Sequence, residues 1–238
     1  MEEHLNALGQ PVGASLPDWS PRPLPPRTPM PGRSCTVRPL DPARDPPPLF
    51  AAFAEDQDGR MWTYLPREGY RTLEELQRWA DSACLTDDPL VHTIVDHASG
   101  EAVGTANYMR IEPAHGVIEV GSITYSPRLQ RRTAATEAMY LMMRRVFDEL
   151  GYRRYEWKCN SLNAPSRAAA TRLGFRYEGL FRQAQVVKGQ NRDTAWFSIV
   201  DSEWPALRAA FEAWLDPANF TADGTQRRSL ASFRSASS

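Results

Sequence analysis

With 238 residues, 42% of them hydrophobic, and a net charge of −1, the chain has material for one well-buried core and no surplus of positive charge. That balance, together with the lack of a continuous basic stripe, argues against a nucleic-acid binder. No apolar run reaches membrane-spanning length and no positive segment precedes an apolar one at the start, so a cytoplasmic protein is expected.

Thirteen of the twenty prolines fall within the first 48 residues. The run Pro21-Arg22-Pro23-Leu24-Pro25-Pro26-Arg27 suits neither a helix nor a sheet interior, and residues 1–34 are expected to form an extended or disordered arm. Such an arm would serve a proline-recognising module, or lie over its own domain or a partner subunit. A homodimer is compatible with it but nothing in the sequence demands one. Cys35 to Leu40 reads as the first strand of the domain, and Pro48 to Glu55 as a helix opened by proline. Thr72 and Glu75 are spaced as a capping box for a helix from Thr72 to Ala83. Strands follow at Val91–Asp96, Ala102–Ile111 and Val117–Tyr125, separated by turns at Ser99-Gly100 and Pro113–Gly116.

Ala135, Met139, Met142, Val146 and Leu150 recur at helical spacing, predicting a helix from Ala134 to Leu150 with one buried stripe and Gly151 as its stop. Tyr155–Cys159 reads as a strand, Ala164–Leu173 as a helix stopped by Gly174, and Phe175–Val187 and Thr194–Asp201 as a hairpin. A helix from Ser202 to Leu215 closes a domain spanning 35–216. Residues 217–238, rich in Ser and Ala towards the end, are expected to be a disordered tail. Strands first, then a β-α-β-α-β order, imply an α+β fold with a central mixed sheet and helices on both faces.

The stretch Leu129-Gln130-Arg131-Arg132-Thr133-Ala134-Ala135-Thr136 joins a strand to a helix through small residues. Backbone N–H groups of a first helical turn lack partners, and the helix dipole adds partial positive charge, so this junction suits a pyrophosphate. Arg128, Arg131 and Arg132 flank it. With a second element some thirty residues on, the pattern points to a coenzyme A-dependent acyltransferase. A P-loop nucleotide binder is excluded because no Gly-Lys-Ser/Thr follows.

Gln130 to Ala135 resembles the Gln/Arg-x-x-Gly-x-Gly/Ala loop of the GNAT acyltransferase superfamily, and Asn160-Ser161-Leu162-Asn163-Ala164-Pro165-Ser166, with Leu173-Gly174-Phe175 and Glu178-Gly179, resembles its second coenzyme-binding region. These features, with Trp62-Thr63-Tyr64-Leu65-Pro66 and Asp201-Ser202-Glu203-Trp204, are similar to the branch of ribosomal-protein N-terminal acetyltransferases (RimJ/RimL type). Thr133 departs from that pattern where a glycine is usual; a β-branched residue resists positive φ, so the loop must turn in a way Thr accepts.

The resemblance implies a GNAT fold whose sheet is mostly antiparallel, acetyl-coenzyme A as co-substrate, and direct transfer to a primary amine on a small molecule or a protein N-terminus. Its coenzyme contacts would come from Ile123, Thr124, Tyr125, Gln130, Arg131, Arg132, Thr133, Ala134, Ala135, Thr136, Asn160, Asn163, Ser166 and Arg167. Backbone N–H groups from Ile123 to Tyr125 would polarise the thioester, with Gly121-Ser122 placed for a local distortion. Ser166 would pass a proton to the leaving sulfur, and Glu119 would take one from the amine, directly or through water. Asn163 and Ser166 serve equally as helix-start groups, and Glu119 as an ion-paired strand residue. Trp62, Tyr64, Arg67 and Glu119 are expected to line the acceptor pocket, alongside the strand pair Val186–Asp201; Trp62 and Tyr64 would instead be core residues if they pack inward. The cluster Lys188, Arg192 and Asp193 at a hairpin turn is either solvated or part of that pocket. The alternative is an inactive domain that binds acyl-coenzyme A as a sensor or scaffold.

His4, His92, His97 and His115 are scattered, and Cys35, Cys84 and Cys159 show no metal-ligand spacing, so no metal is expected. Cys159, ending a strand near the coenzyme's thiol, reads as a buried structural cysteine.

Overall fold

A computed structural model of the protein describes residues 4–234. A small hairpin, β1 (His4–Leu5) with β2 (Pro11–Val12), stands apart from the main sheet. That sheet comprises β3 (Met30–Pro31), β4 (Cys35–Pro39), β5 (Leu90–Asp96), β6 (Ala102–Glu112), β7 (Val117–Tyr125), β8 (Arg154–Asn160), β9 (Arg176–Val187) and β10 (Gln190–Val200), ordered β3-β4-β5-β6-β7-β8-β10-β9. Every neighbouring pair is antiparallel except β7 and β8, which run parallel.

Helices cover both faces, as the element order implies. On one face α1 (Pro46–Phe53) and α2 (Leu73–Ala83) enclose a core around Leu49, Phe53, Trp62 and Leu76. On the other, α3 (Thr133–Arg144), α4 (Ala164–Leu173) and α5 (Trp204–Leu215) pack over a larger core centred on Ile118, Met139, Met142 and Tyr155. Local chemistry sets the helix ends. The Thr72 hydroxyl accepts from the Glu75 N–H at 3.3 Å, while the Glu75 carboxylate reaches back to the Arg71 N–H at 2.8 Å. Gly174, at φ +105°, ends α4 in a conformation a side chain resists.

Three expectations change. The helix expected from Ala134 to Leu150 is α3 followed by a π-helical turn, Arg145–Glu149, before Gly151 at φ +66°. Its buried surface exceeds one stripe: every residue from Ala134 to Met143 is buried, because the sheet, α5 and the N-terminal arm all pack on it. The arm itself lies over its own domain, one of the placements the sequence leaves open for it. Trp19 Nε1 donates to the Ala114 carbonyl, Tyr152 Oη to the Pro23 carbonyl, and Arg145 to the carbonyls of Thr28 and Pro29. Its last residues enter the sheet as β3.

The segment expected as a disordered tail also folds back, through residue 234. Asn219 binds the Trp214 and Arg228 carbonyls, and α6 (Leu230–Arg234) buries Leu230 against the larger core. Sparse but well-placed apolar residues, Phe220, Leu230 and Phe233, suffice where a groove already exists. Residues 1–3 and 235–238 lie outside the described residues.

Candidate active site

The parallel ladder between β7 and β8 runs through Val117↔Arg154, Ile118↔Tyr155, Glu119↔Glu156 and Val120↔Trp157, and ends there. Beyond it, β7 continues to Tyr125 paired with β6, and β8 continues to Asn160 paired with β10. The cause is visible in the register of β6 and β7. Thr105 faces Thr124 and Asn107 faces Gly121, so Ser122 and Ile123 together oppose Ala106. This is a β-bulge, with Ser122 at φ +48°, and a bulge bends its strand away from the next one. Gly121 beside it leaves room for Met109: a Cβ there would lie 2.4 Å from the Met109 sulfur and displace that side chain.

A cavity of about 530 Å³ fills the parting. On the α3/α4 side it is bounded by Trp157, Cys159, Asn160, Asn163 and Ser166; on the α1/α2 side by Tyr64, Met109, Arg110, Glu119, Lys158 and Arg192. It is therefore lined from both faces of the sheet.

Ser166 Oγ accepts from Trp157 Nε1 at 3.0 Å, which leaves its own O–H as a donor beside Cys159 at the cavity wall. The Ser166 N–H is held by Asn163 Oδ1 at 3.1 Å, so Asn163 is the cap of α4 as well as a cavity residue. Asn160 Oδ1 accepts from the Leu162 N–H, and Arg167 from its guanidinium binds the Ser161 carbonyl; both shape the loop entering α4. Burial pushes the Cys159 thiol above its usual range, opposed by the Ser166 hydroxyl. A neutral buried thiol is a wall, not a nucleophile.

The helix-start loop lies outside this cavity. Positive φ falls on Arg131, at +61°, and not on Thr133, which opens α3 in ordinary helical geometry. The departure from glycine is thus absorbed two residues earlier. Arg132 at the N-cap makes no side-chain cap, so the first turn keeps backbone donors for another ligand. Gln130 Nε2 donates to the Tyr125 carbonyl at 2.8 Å, pinning the loop to β7. Thr136 is buried and accepts from Arg172. Arg128, counted among the flanking cations, instead pairs with Glu55 and Glu101 at 2.7 and 2.9 Å. Tyr125 Oη donates to the Ala135 carbonyl, and burial holds that phenol above its ordinary range. Its side chain secures the first turn of α3 and does not line the cavity, whereas Ile123 does. Thr124 faces a second, smaller cavity of about 300 Å³.

That second cavity also takes Trp62 and Arg67, two residues expected at the acceptor site. Trp62 is buried, packed edge-on against Phe53 and Tyr70. Arg67 stacks over Tyr70 and Trp79, 5.1 and 4.8 Å from the ring centres. Only Tyr64 of the three lines the larger cavity, its hydroxyl bound to the Leu162 carbonyl at 3.1 Å.

Glu119 reaches the cavity, but its carboxylate carries Arg110 Nη1 at 2.7 Å and Lys158 Nζ at 2.9 Å. The pairs continue across four strands: Lys158 to Glu156 at 2.7 Å, Glu156 to Arg154 at 2.7 Å, and Arg154 to Glu178. Lys158 also lies 3.8 Å from the centre of the Trp196 ring. Arg110, Lys158 and Glu156 were not singled out in the sequence. Period-2 alternation places Glu119 and Lys158 on one face only once the register of β7 against β8 is known. His115 lies in an exposed turn and His92 is buried. No metal-ligand cluster occurs among the described residues, and no helix is long and apolar enough to cross a membrane.

Residues 35–176 match the model of the acetyltransferase (GNAT) domain family. A GCN5-related N-acetyltransferase from Brucella melitensis is 50% identical, covers 92% of this chain and all of its own, and superposes with a TM-score of 0.91. RimL, described as a ribosomal L7/L12 alpha-N-protein acetyltransferase in complex with coenzyme A, shares the fold at a TM-score of 0.63 and 20% identity, covering 73% of this chain and 99% of its own. Among curated proteins, an uncharacterized N-acetyltransferase p20 from Bacillus licheniformis is 28% identical over 112 residues, 47% of this chain. The match spans 62% of that relative's length.

Proposed function

Because this chain belongs to the GNAT acetyltransferase family, we propose that it transfers an acyl group, acetyl before longer chains, from acyl-coenzyme A to a primary amine by direct attack in a ternary complex. The observation that carries this reading is the parting of β7 and β8 after Val120 and Trp157, with a cavity at the gap lined from both faces of the sheet. A cavity lined from both faces would let two substrates meet from opposite sides.

The residues present fit the coenzyme. The uncapped first turn of α3, with Arg131 and Arg132 beside it, would hold a pyrophosphate. Ile123, Asn160, Asn163 and Ser166 would line the arm leading inward. Bound there, the coenzyme supplies the thioester. Amine nitrogen bonds to the acyl carbon, the C–S bond breaks, and amide and free thiol result. The Ser166 O–H donates toward the departing sulfur, while the amine proton leaves to water. A thiol pKa near ~8.5 makes thiolate a fair leaving group, so Ser166 assists more than it enables. Glu119, bound to two cations, acts as the anchor of Arg110 and Lys158 in this reading and not as the base.

The test is incubation of the purified protein with acetyl-coenzyme A and a panel of amines, following free thiol. Amine-dependent release is expected. No release with any amine, from a protein whose melting temperature acetyl-coenzyme A still raises, would leave either an acceptor outside the panel or the sensor reading.

A further inference from the structure

The cavity holds more positive charge than its own acids offset. Arg110, Lys158 and Arg192 line it against one lining carboxylate, Glu119, which two of them bind, while Glu156 behind the lining pairs with Lys158. Arg192 is the cation left over. Its Nε is buried and has no hydrogen-bond partner, and burial pulls its guanidinium below the usual range. A desolvated guanidinium N–H without an acceptor is costly, and the cost is recovered when an anion arrives with a ligand.

The coenzyme's phosphates are not that anion. None of the residues 131–136 at the start of α3 lines this cavity, whereas Arg192 lies on β10 beside Gln185, across the parting from α3. The anion must therefore belong to the other substrate. The mouth on that side is drawn together. Tyr64 is bound to the Leu162 carbonyl, and Lys188 at the β9–β10 turn binds the Trp62 carbonyl at 2.8 Å and Glu68 at 3.2 Å. Two ties across one opening favour a small acceptor.

On the acetyltransferase reading above, we propose that the acceptor is a small amine bearing a carboxylate, of the amino-acid type, and that Arg192 binds that carboxylate through its planar fork. The same surplus of positive charge disfavours an ammonium ion in the cavity. The acceptor nitrogen is thereby held in the neutral form that attacks, without a dedicated base. A polyamine, all cation, is the acceptor this cavity rejects.

The experiment measures kcat and KM for thiol release with matched acceptors: the common amino acids, their carboxamides, the corresponding decarboxylated amines, spermidine, and a short peptide with an acidic second residue. Wild type, Arg192→Gln and Arg192→Lys are compared, each checked for an unchanged melting temperature. The expected result is a preference for acid over carboxamide of about 10- to 100-fold in kcat/KM. Arg192→Gln should erase it through KM for the acid alone, and Arg192→Lys should retain part. The acidic peptide outperforming every free amino acid, with the same dependence on Arg192, keeps the carboxylate and assigns its source to a protein. Carboxamides or spermidine used as well as the acids, or Arg192→Gln slowing all acceptors alike, would overturn the assignment while leaving the transferase intact. If no amine releases thiol, the same pairs are read by the melting temperature of the coenzyme A complex. A rise with acids, absent with carboxamides and lost in Arg192→Gln, upholds the carboxylate site; equal or no rise rejects it.

Discussion

The two sides of the parted strands are built on different principles. On the α3 side, the binding elements are backbone: an uncapped helix start, a short loop and an Asn-capped second helix. On the α1/α2 side they are charged side chains from β6, β7 and β8, each neutralising the next, with Arg192 of β10 beside them. A backbone site tolerates a change such as glycine to Thr133, because the strained torsion moves to Arg131. A side-chain site has no such slack, since each buried charge depends on its neighbours.

Substitution of Lys158 breaks the comparison hardest. Lys158→Met leaves Glu119 and Glu156 each with one arginine, and a loss of about 3 kcal/mol in urea unfolding is expected. An unchanged midpoint would show that the ion-pair chain is decoration. On the other side, Arg131→Glu with Arg132→Glu should leave the unfolding midpoint within about 0.5 kcal/mol of wild type, both residues being at the loop surface. The same double variant should weaken coenzyme A binding by about 100-fold, read by calorimetry. A stability loss comparable with that of Lys158→Met would erase the distinction between the two sides.

His92 supplies a reference away from both. Buried beneath Tyr108, with Nδ1 facing the Leu90 carbonyl, it has its pKa pushed down to about 3 by burial, with Arg145 adding to the effect. The unfolded chain binds the proton near ~6.5 and the folded one does not, so stability falls as pH drops from about 6.5 toward 3. Between pH 7 and 5 the expected contribution is about 2 kcal/mol, and His92→Gln should flatten that limb of the stability–pH curve. An identical slope in the variant would place the acid sensitivity elsewhere.

The smallest effect is expected at Ser166. Ser166→Ala should lower turnover by about tenfold or less while the melting shift with coenzyme A stays as in wild type, because Asn163 still caps α4 through the backbone N–H. Loss of the coenzyme shift instead would make the hydroxyl a structural partner of Trp157 alone.

Most elements were legible because their signals are local. Capping residues, glycine stops and hydrophobic periodicity placed α2, α4, β7 and the end of the long helix within a residue or two. Errors arose where packing overrides composition. Trp62 and Tyr64 sit two residues apart in an aromatic segment, yet one faces the smaller core and the other the cavity. The segment after residue 217 looks too polar to fold by itself, and it orders because a few apolar side chains pack against α4, α5 and the larger core.

The sequence by itself determined the family, the order of strands and helices, and the helix-start loop, since each rests on neighbours within a few residues of one another. Only the tertiary structure decided which cation stands unpaired. Arg110, Glu119, Lys158 and Arg192 lie on four separate strands, and strand register and the bulge at Ser122 set which of their charges meet. Charge pairing is a property of distance, and distance across a sheet is not written in chain order.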